Sequence, residues 1–147
     1  MDKKDFYART MHTPDDPARA RQRAALRETS KTLLPLHQRL IQEAKNDYAA
    51  ATSMPATPTE LVRLLMEDPF FAWLKPVTAL IVDIDEMARV DFETTDVARI
   101  AERIDRLFGA NAESAFAEKY IPVLQRDVDV AIAHAALRQA LRKLQEP

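Results

Sequence analysis

The sequence predicts an all-α protein, and two observations carry that prediction. The 147 residues include only one glycine, whereas β-hairpins, bulges and phosphate-binding loops depend on glycine at backbone positions with positive φ. Apolar residues also recur at intervals of three and four along most of the chain, which is the period of an amphipathic α-helix. We therefore predict a mainly antiparallel bundle of four main helices with one short accessory helix.

The length of the chain fits one domain with a substantial core. Residues 1–16 are polar, show no sustained period and lead into the prolines Pro14 and Pro17. We therefore predict a flexible N-terminal tail over residues 1–16. Residues 17–147 are assigned to a single helical-bundle domain.

A long first helix is predicted from Pro17 to about Ala51. Its apolar stripe keeps its phase across Pro35. An interior proline removes one backbone hydrogen bond and bends a helix without having to end it, so a kink and a break at Pro35 are both open. The stripe consists of Leu26, Leu33, His37, Leu40, Ala44, Tyr48 and Ala51.

The short accessory helix begins at a strong capping pattern. Thr57 stands at the cap, Pro58 follows at the first helical position, and Glu60 comes third, which is the arrangement of a capping box. The helix must end near Asp68, because Pro69 disfavours helical geometry in the residue before it.

The next helix is predicted from Pro69 to about Arg89, with Asp68 as its cap. It begins with an aromatic corner, which we define as Phe70, Phe71 and Trp73. In α-helical register Phe70 and Trp73 face the core and Phe71 projects off their stripe, so Phe71 is either an interface residue or second-layer core. The three aromatics are the candidates for an interface or a pocket.

Two further helices complete the predicted bundle. The fourth begins after a cap at Thr94 or Thr95 and ends at Gly109, which we interpret as a left-handed C-terminal cap. The last helix opens at Asn111 and can reach Leu144.

The last helix is broadly apolar. Ile121, Val128 and Ile132 lie at the edge of its apolar stripe or beyond it. Such a helix is either central in the bundle or faces a second subunit. We therefore name the chain itself, as a homodimer, or another protein as the predicted partner.

Two histidines give the one candidate metal site. His37 and His134 both lie on core-facing stripes, and Asp85 is the nearest further ligand candidate. Metal sites in helical bundles use inward carboxylates and histidines, often as Glu-x-x-His, but Leu34 and Ala131 occupy the positions three residues before the histidines. A hemerythrin-like or di-metal site is therefore the alternative to two histidines held by hydrogen bonds.

Composition excludes several other classes of function. The absence of cysteine rules out thiol chemistry, and a single glycine cannot build a nucleotide-binding loop. Charges of both signs are interspersed to a net charge of -2, which favours neither nucleic acid nor a membrane surface as partner. No apolar run approaches the ~20 residues of a membrane span. We predict a cytoplasmic protein with no catalytic residue and no cofactor.

The segment DPFFAWLKPVTALIVDIDE, residues 68–86, resembles a segment of an uncharacterised bacterial family of small all-helical proteins. The resemblance extends to TPTELVRLLMED before it and to LHQRLIQEAKNDYAAA in the first helix, and covers under half of the chain. That family has no assigned activity, so the resemblance implies a stand-alone helical bundle and transfers no catalytic residue. The sequence thus favours a non-catalytic binding or scaffold protein of unknown process.

Overall fold

A computed structural model describes residues 16–110, 112 and 114–146. These residues form six α-helices and one 3-10 helix and contain no β-strand, which confirms the predicted all-α class. The predicted flexible tail, apart from its last residue, lies outside the described residues. The helices are α1 (Pro17–Thr52), α2 (Pro58–Glu67), the 3-10 helix (Pro69–Leu74), α3 (Lys75–Arg89), α4 (Thr94–Phe108), α5 (Ala115–Arg126) and α6 (Val128–Gln145).

The first helix is long and continuous. Asp16 caps it, since its carboxylate accepts a hydrogen bond from the Arg19 backbone N–H at 2.8 Å. The helix then runs 36 residues through Pro35 to Thr52, where Ser53 takes up a left-handed conformation with φ of 60°. Of the two alternatives at Pro35, a break is therefore wrong.

Helix α1 packs most extensively against α6 and α3. Glu28, near its start, accepts a hydrogen bond from Lys143 at 2.9 Å, whereas Arg39, further on, donates to Asp127 at 2.8 Å. The start of α1 therefore lies beside the end of α6, and the two helices run in opposite directions.

The core lies where these helices meet, and leucine and isoleucine dominate it. Burying one such side chain stabilises the fold by about 1.5–3 kcal/mol. The largest fully buried aliphatic side chains are Leu26, Leu33, Leu36, Leu40, Leu80, Ile84, Ile104, Leu137 and Leu141.

The predicted helix over residues 69–89 is two elements, and this reverses the register of its first turn. A 3-10 helix has three residues per turn, so Phe71, Leu74 and then Val77 share one face, and all three are buried. Phe70 is instead 39% exposed. The prediction that Phe70 faces the core and Phe71 projects away from it was wrong.

Pro76 accounts for the change of helix type. In an α-helix the Ala72 carbonyl would accept a hydrogen bond from the N–H of residue 76, but proline has no N–H and its ring crowds that carbonyl. The Ala72 carbonyl instead accepts from the Lys75 N–H, one residue earlier. This is a 3-10 hydrogen bond, and it tightens the turn that carries the aromatics.

The predicted last helix is also two elements, because Asp127 has an extended backbone. Its carboxylate accepts from the Val130 N–H at 3.1 Å and so caps α6. Ser114 caps α5 in the same way, through the Ala117 N–H at 3.0 Å. Pro122 lies inside α5 without ending it, and the predicted cap at Asn111 falls outside the described residues.

The cap of α4 is one residue earlier than predicted. Glu93, not Thr94 or Thr95, occupies the N-cap position. Its backbone N–H donates to the Asp96 carboxylate at 2.9 Å, which is the reciprocal half of a capping box.

Gly109 follows α4 but is not left-handed. Its φ is -72°, so the predicted left-handed cap was wrong. A Cβ at this position would stand 2.4 Å from the Asp105 carbonyl oxygen, which is far inside van der Waals contact. The position requires glycine because of this close approach.

Over the described ranges, no helix combines the length and hydropathy that crossing a membrane requires.

Candidate functional site

The aromatic corner divides into a buried and an accessible part. Phe71 is fully buried, with its ring centroid 5.5 Å from that of Tyr48 and 5.4 Å from that of Phe70. It is therefore core, and the interface alternative for Phe71 was wrong. Trp73 is half-buried and packs against Phe116 of α5 at 5.8 Å.

An aromatic groove lies between the 3-10 helix and α5. It has a volume of about 630 Å³, and we define it by Phe70, Trp73, Phe116, Pro122 and Val123, which line it together with further residues. Four charged side chains also line the groove, and they are Asp47, Glu118, Lys119 and Arg126. Two of the three aromatics singled out in the sequence thus line one surface depression.

A second depression, the arginine cleft, lies between α3, α4 and α6 with a volume of about 760 Å³. We define it by Arg103, Arg106 and Arg138, which line it together with Asp105 and others. Arg103 donates to Asp83 at 2.6 Å, and Arg138 donates to Asp105 at 3.2 Å. Sequence reasoning missed this cleft. Its only local signal is two arginines three residues apart on α4, because the third comes from a helix packed beside it.

The two candidate histidines have separate hydrogen-bond partners. His37 Nε2 lies 2.9 Å from the Thr78 hydroxyl oxygen, and His134 Nδ1 lies 2.7 Å from the Tyr120 hydroxyl oxygen. Burial lowers the pKa of both histidines, and Arg138 adds to the effect at His134. Burial also raises the pKa of Tyr120. At neutral pH both histidines are therefore uncharged, and each satisfies its hydrogen bond with its own hydroxyl partner.

Asp85, the third metal candidate, accepts a hydrogen bond from Ser30 at 2.6 Å. His37, His134 and Asp85 therefore bond to three different residues. In the part of the chain that is described, no three His, Cys, Asp or Glu side chains are grouped so that they could hold a metal ion. The structure brings none of the three candidates together in such a group.

An ion-pair network joins α1 to the junction of α5 and α6. Arg39 pairs with Asp127 at 2.8 Å, and Arg126 pairs with Glu43 at 3.1 Å. The Arg39 hydrogen bond, with that of the Val130 N–H, lowers the pKa of Asp127 to about 2. This network fixes the interruption between the two helices, and we assign it a structural role.

Two arginines near the start of α1, Arg19 and Arg23, also pack within the fold. The guanidinium of Arg23 donates to the Ala88 carbonyl at the end of α3, and that of Arg19 donates to the Phe92 carbonyl at 2.8 Å. Both guanidinium groups lie over the Phe92 ring, that of Arg23 at 5.0 Å and that of Arg19 at 5.1 Å from its centroid. Cations at the end of a helix complement its dipole.

The outward side of α6 carries an exposed apolar stripe. Val128 is 72% exposed and Ile132 is 64% exposed, and the two lie one turn apart. Ala131 and Ala135 are exposed on the same side. We call these four residues the outer stripe.

No protein-family model, curated protein or solved structure matches this chain. The resemblance of residues 68–86 to an uncharacterised bacterial family therefore stays a prediction.

Proposed function

We propose that the chain is a non-catalytic binding or scaffold protein of the cytoplasm, and that it associates with a second copy of itself through the outer stripe. The exposure of Val128 and Ile132, at 72% and 64%, carries this proposal. Single exposed apolar residues are common on protein surfaces, but a continuous stripe of them is typical of an interaction surface.

We also propose that α1, α3, α4 and α6 form a mainly antiparallel four-helix bundle that holds this surface rigid. The opposite directions of α1 and α6 support the arrangement, and two further bonds extend it to α3. Ser30 pairs with Asp85 and His37 with Thr78, so the start of α1 lies beside the end of α3. In this arrangement α2, the 3-10 helix and α5 are accessory.

The composition of the outer stripe favours a second copy as the partner. The stripe alternates large Val128 and Ile132 with small Ala131 and Ala135 and contains no charge. In a two-fold dimer each copy presents the same patch, so the large side chains of one stripe can pack against the alanines of the other. A single helix face buries less than the ~1,600 Å² of a standard interface. We therefore expect a weak dimer, dissociating at micromolar concentrations.

Sedimentation equilibrium over micromolar to submillimolar concentrations tests the proposal. The wild type should rise from 16.7 kDa toward twice that mass, and Ile132→Glu should remain at the lower mass. Val82→Glu is the matched control, because Val82 is 57% exposed on α3, outside the outer stripe. A wild type that stays monomeric throughout would overturn the proposal, and so would equal effects of the two substitutions.

The metal-binding alternative with His37, His134 and Asp85 stays a prediction with its own test. Elemental analysis of untagged protein, purified without chelator, reports metal per chain. Stoichiometric iron, manganese or zinc that is lost in His37→Gln or His134→Gln would support the alternative. Protein without metal would leave both histidines with the structural role that their hydrogen bonds to Thr78 and Tyr120 describe.

A further inference from the structure

The arginine cleft and the aromatic groove adjoin each other. Pro76 lines both depressions. At the start of α5, Ser114 lines the cleft and the next residue, Ala115, lines the groove. The two depressions therefore adjoin each other at Pro76, with arginines on one side and aromatic rings on the other.

Among the residues that the structure describes, the arginine end carries an excess of positive charge. Three guanidinium groups line it, and the described acidic groups that they contact are Asp105 in the lining and Asp83 beside it. Arg106 has no ion-pair partner among the residues that the structure describes. A guanidinium group has five N–H donors that match the geometry of a carboxylate.

The pairs already formed leave donors available. Arg103 and Arg138 each contact their acidic partner through a single nitrogen, Nη1. Their remaining N–H groups, with those of Arg106, give this end more donors than the two described acids use. Binding an anion there would add hydrogen bonds without requiring the existing pairs to break.

The aromatic end is suited to an apolar body. Phe70, Trp73 and Phe116 line the groove; Phe70 is 39% exposed and Trp73 is half-buried, whereas Phe116 is buried. Ring stacking of a ligand against Phe70 or Trp73 adds to the area that it buries. The two volumes, about 760 Å³ and 630 Å³, lie in the range of sites for small organic molecules.

We propose that the two adjoining depressions together bind one small amphipathic anion, with an aromatic or acyl body in the aromatic groove and a carboxylate in the arginine cleft. Charge complementarity at one end and apolar surface at the other are the two features such a ligand requires. The proposal is independent of self-association, since no residue of the outer stripe lines either depression.

A pair of matched ligands tests the role of charge. The probes are 4-phenylbutyrate and 4-phenylbutan-1-ol, which share one phenylpropyl chain and differ in that the first ends in a carboxylate and the second in an uncharged hydroxymethyl group. Binding is followed by calorimetry and by the fluorescence of Trp73, the only tryptophan in the chain, which lines the groove. The acid should bind about tenfold more tightly than the alcohol, because the carboxylate gains charge-assisted hydrogen bonds.

Matched variants locate the binding site. Arg106→Gln should weaken binding of the acid about tenfold and leave that of the alcohol unchanged. Arg99→Gln should change neither, because the Arg99 side chain is 74% exposed on the same helix and outside the cleft. Phe70→Ala should weaken binding of both ligands, and circular dichroism confirms that each variant is folded.

Three results would overturn the proposal: acid and alcohol that bind with equal affinity, Arg106→Gln that binds the acid as the wild type does, or an acid that does not bind at millimolar concentration. None of these results bears on the dimer, whose test is the mass in solution.

Discussion

The register of the aromatic corner gives the sharpest test of the fold. The perturbation is a pair of truncations, Phe71→Ala and Phe70→Ala, at adjacent positions with the same side chain. In an α-helical register the Phe70 ring would face the core, whereas in the observed 3-10 helix Phe71 is fully buried and Phe70 is 39% exposed. The two registers therefore predict opposite orders of destabilisation.

The expected magnitudes follow from burial. Phe71→Ala removes a buried ring from between Tyr48 and the core, and truncations of this kind cost about 3–5 kcal/mol, because a cavity remains. Phe70 is 39% exposed, so its truncation should cost about three fifths of the 1.5–3 kcal/mol that burying a whole side chain contributes, or about 1–2 kcal/mol. No closed cavity forms there. The difference between the variants should be about 2 kcal/mol.

Urea denaturation followed by circular dichroism at 222 nm measures both values. The slope of the free energy of unfolding against urea should be equal in the wild type and the variants, which shows that only stability has changed. Phe71→Leu is a useful intermediate, since it retains most of the buried volume and should cost less than Phe71→Ala. If Phe70→Ala destabilises as much as Phe71→Ala or more, the 3-10 register and the argument from Pro76 are both refuted.

Two further predictions concern the ends of helices. Gly109→Ala should destabilise the protein by about 1–3 kcal/mol, because the added Cβ crowds the Asp105 carbonyl. At a glycine with free space around it, the same substitution would stabilise the protein. A higher urea midpoint for the variant would show that the close approach is not a constraint. The ionised Asp127 carboxylate is held by Arg39 and the Val130 N–H, which lower its pKa from 3.8 to about 2. Its contribution to stability is therefore complete above pH 3.8 and lost as the pH falls toward 2. Asp127→Asn should lower the urea midpoint at neutral pH and reduce the loss between these two pH values, and an unchanged acid profile would contradict the assignment.

The features of the fold that were predictable from sequence are local ones. Thr57 and Asp68 cap the helices expected of them, because capping depends on one side chain and a backbone N–H two or three residues away. The apolar stripe of α1 keeps one phase on both sides of Pro35, which favoured one long helix but left a break open, and only the structure shows that the helix is continuous.

The features that were missed depend on contacts between residues that are far apart in the chain. The interruption at Asp127 could not be seen in the sequence because apolar residues continue on both sides of it. The ion pair between the Arg39 guanidinium and the Asp127 carboxylate, which fixes the break, joins residues 88 apart in the chain. The arginine cleft could not be seen in the sequence either, because it also depends on a long-range contact. Arg138 meets α4 only after the helices have packed, and a single sequence carries no signal of that contact.

Pro76 connects the backbone chemistry of this chain to the shape of its candidate site. Because proline cannot donate to the Ala72 carbonyl, Lys75 does so, and the preceding turn tightens to three residues. That turn buries Phe71 and leaves Phe70 and Trp73 beside the aromatic groove. Pro76 itself then lies where the groove meets the arginine cleft. The residue that prevents an α-helix at the corner therefore also determines which aromatic side chains are buried and which of them line the groove.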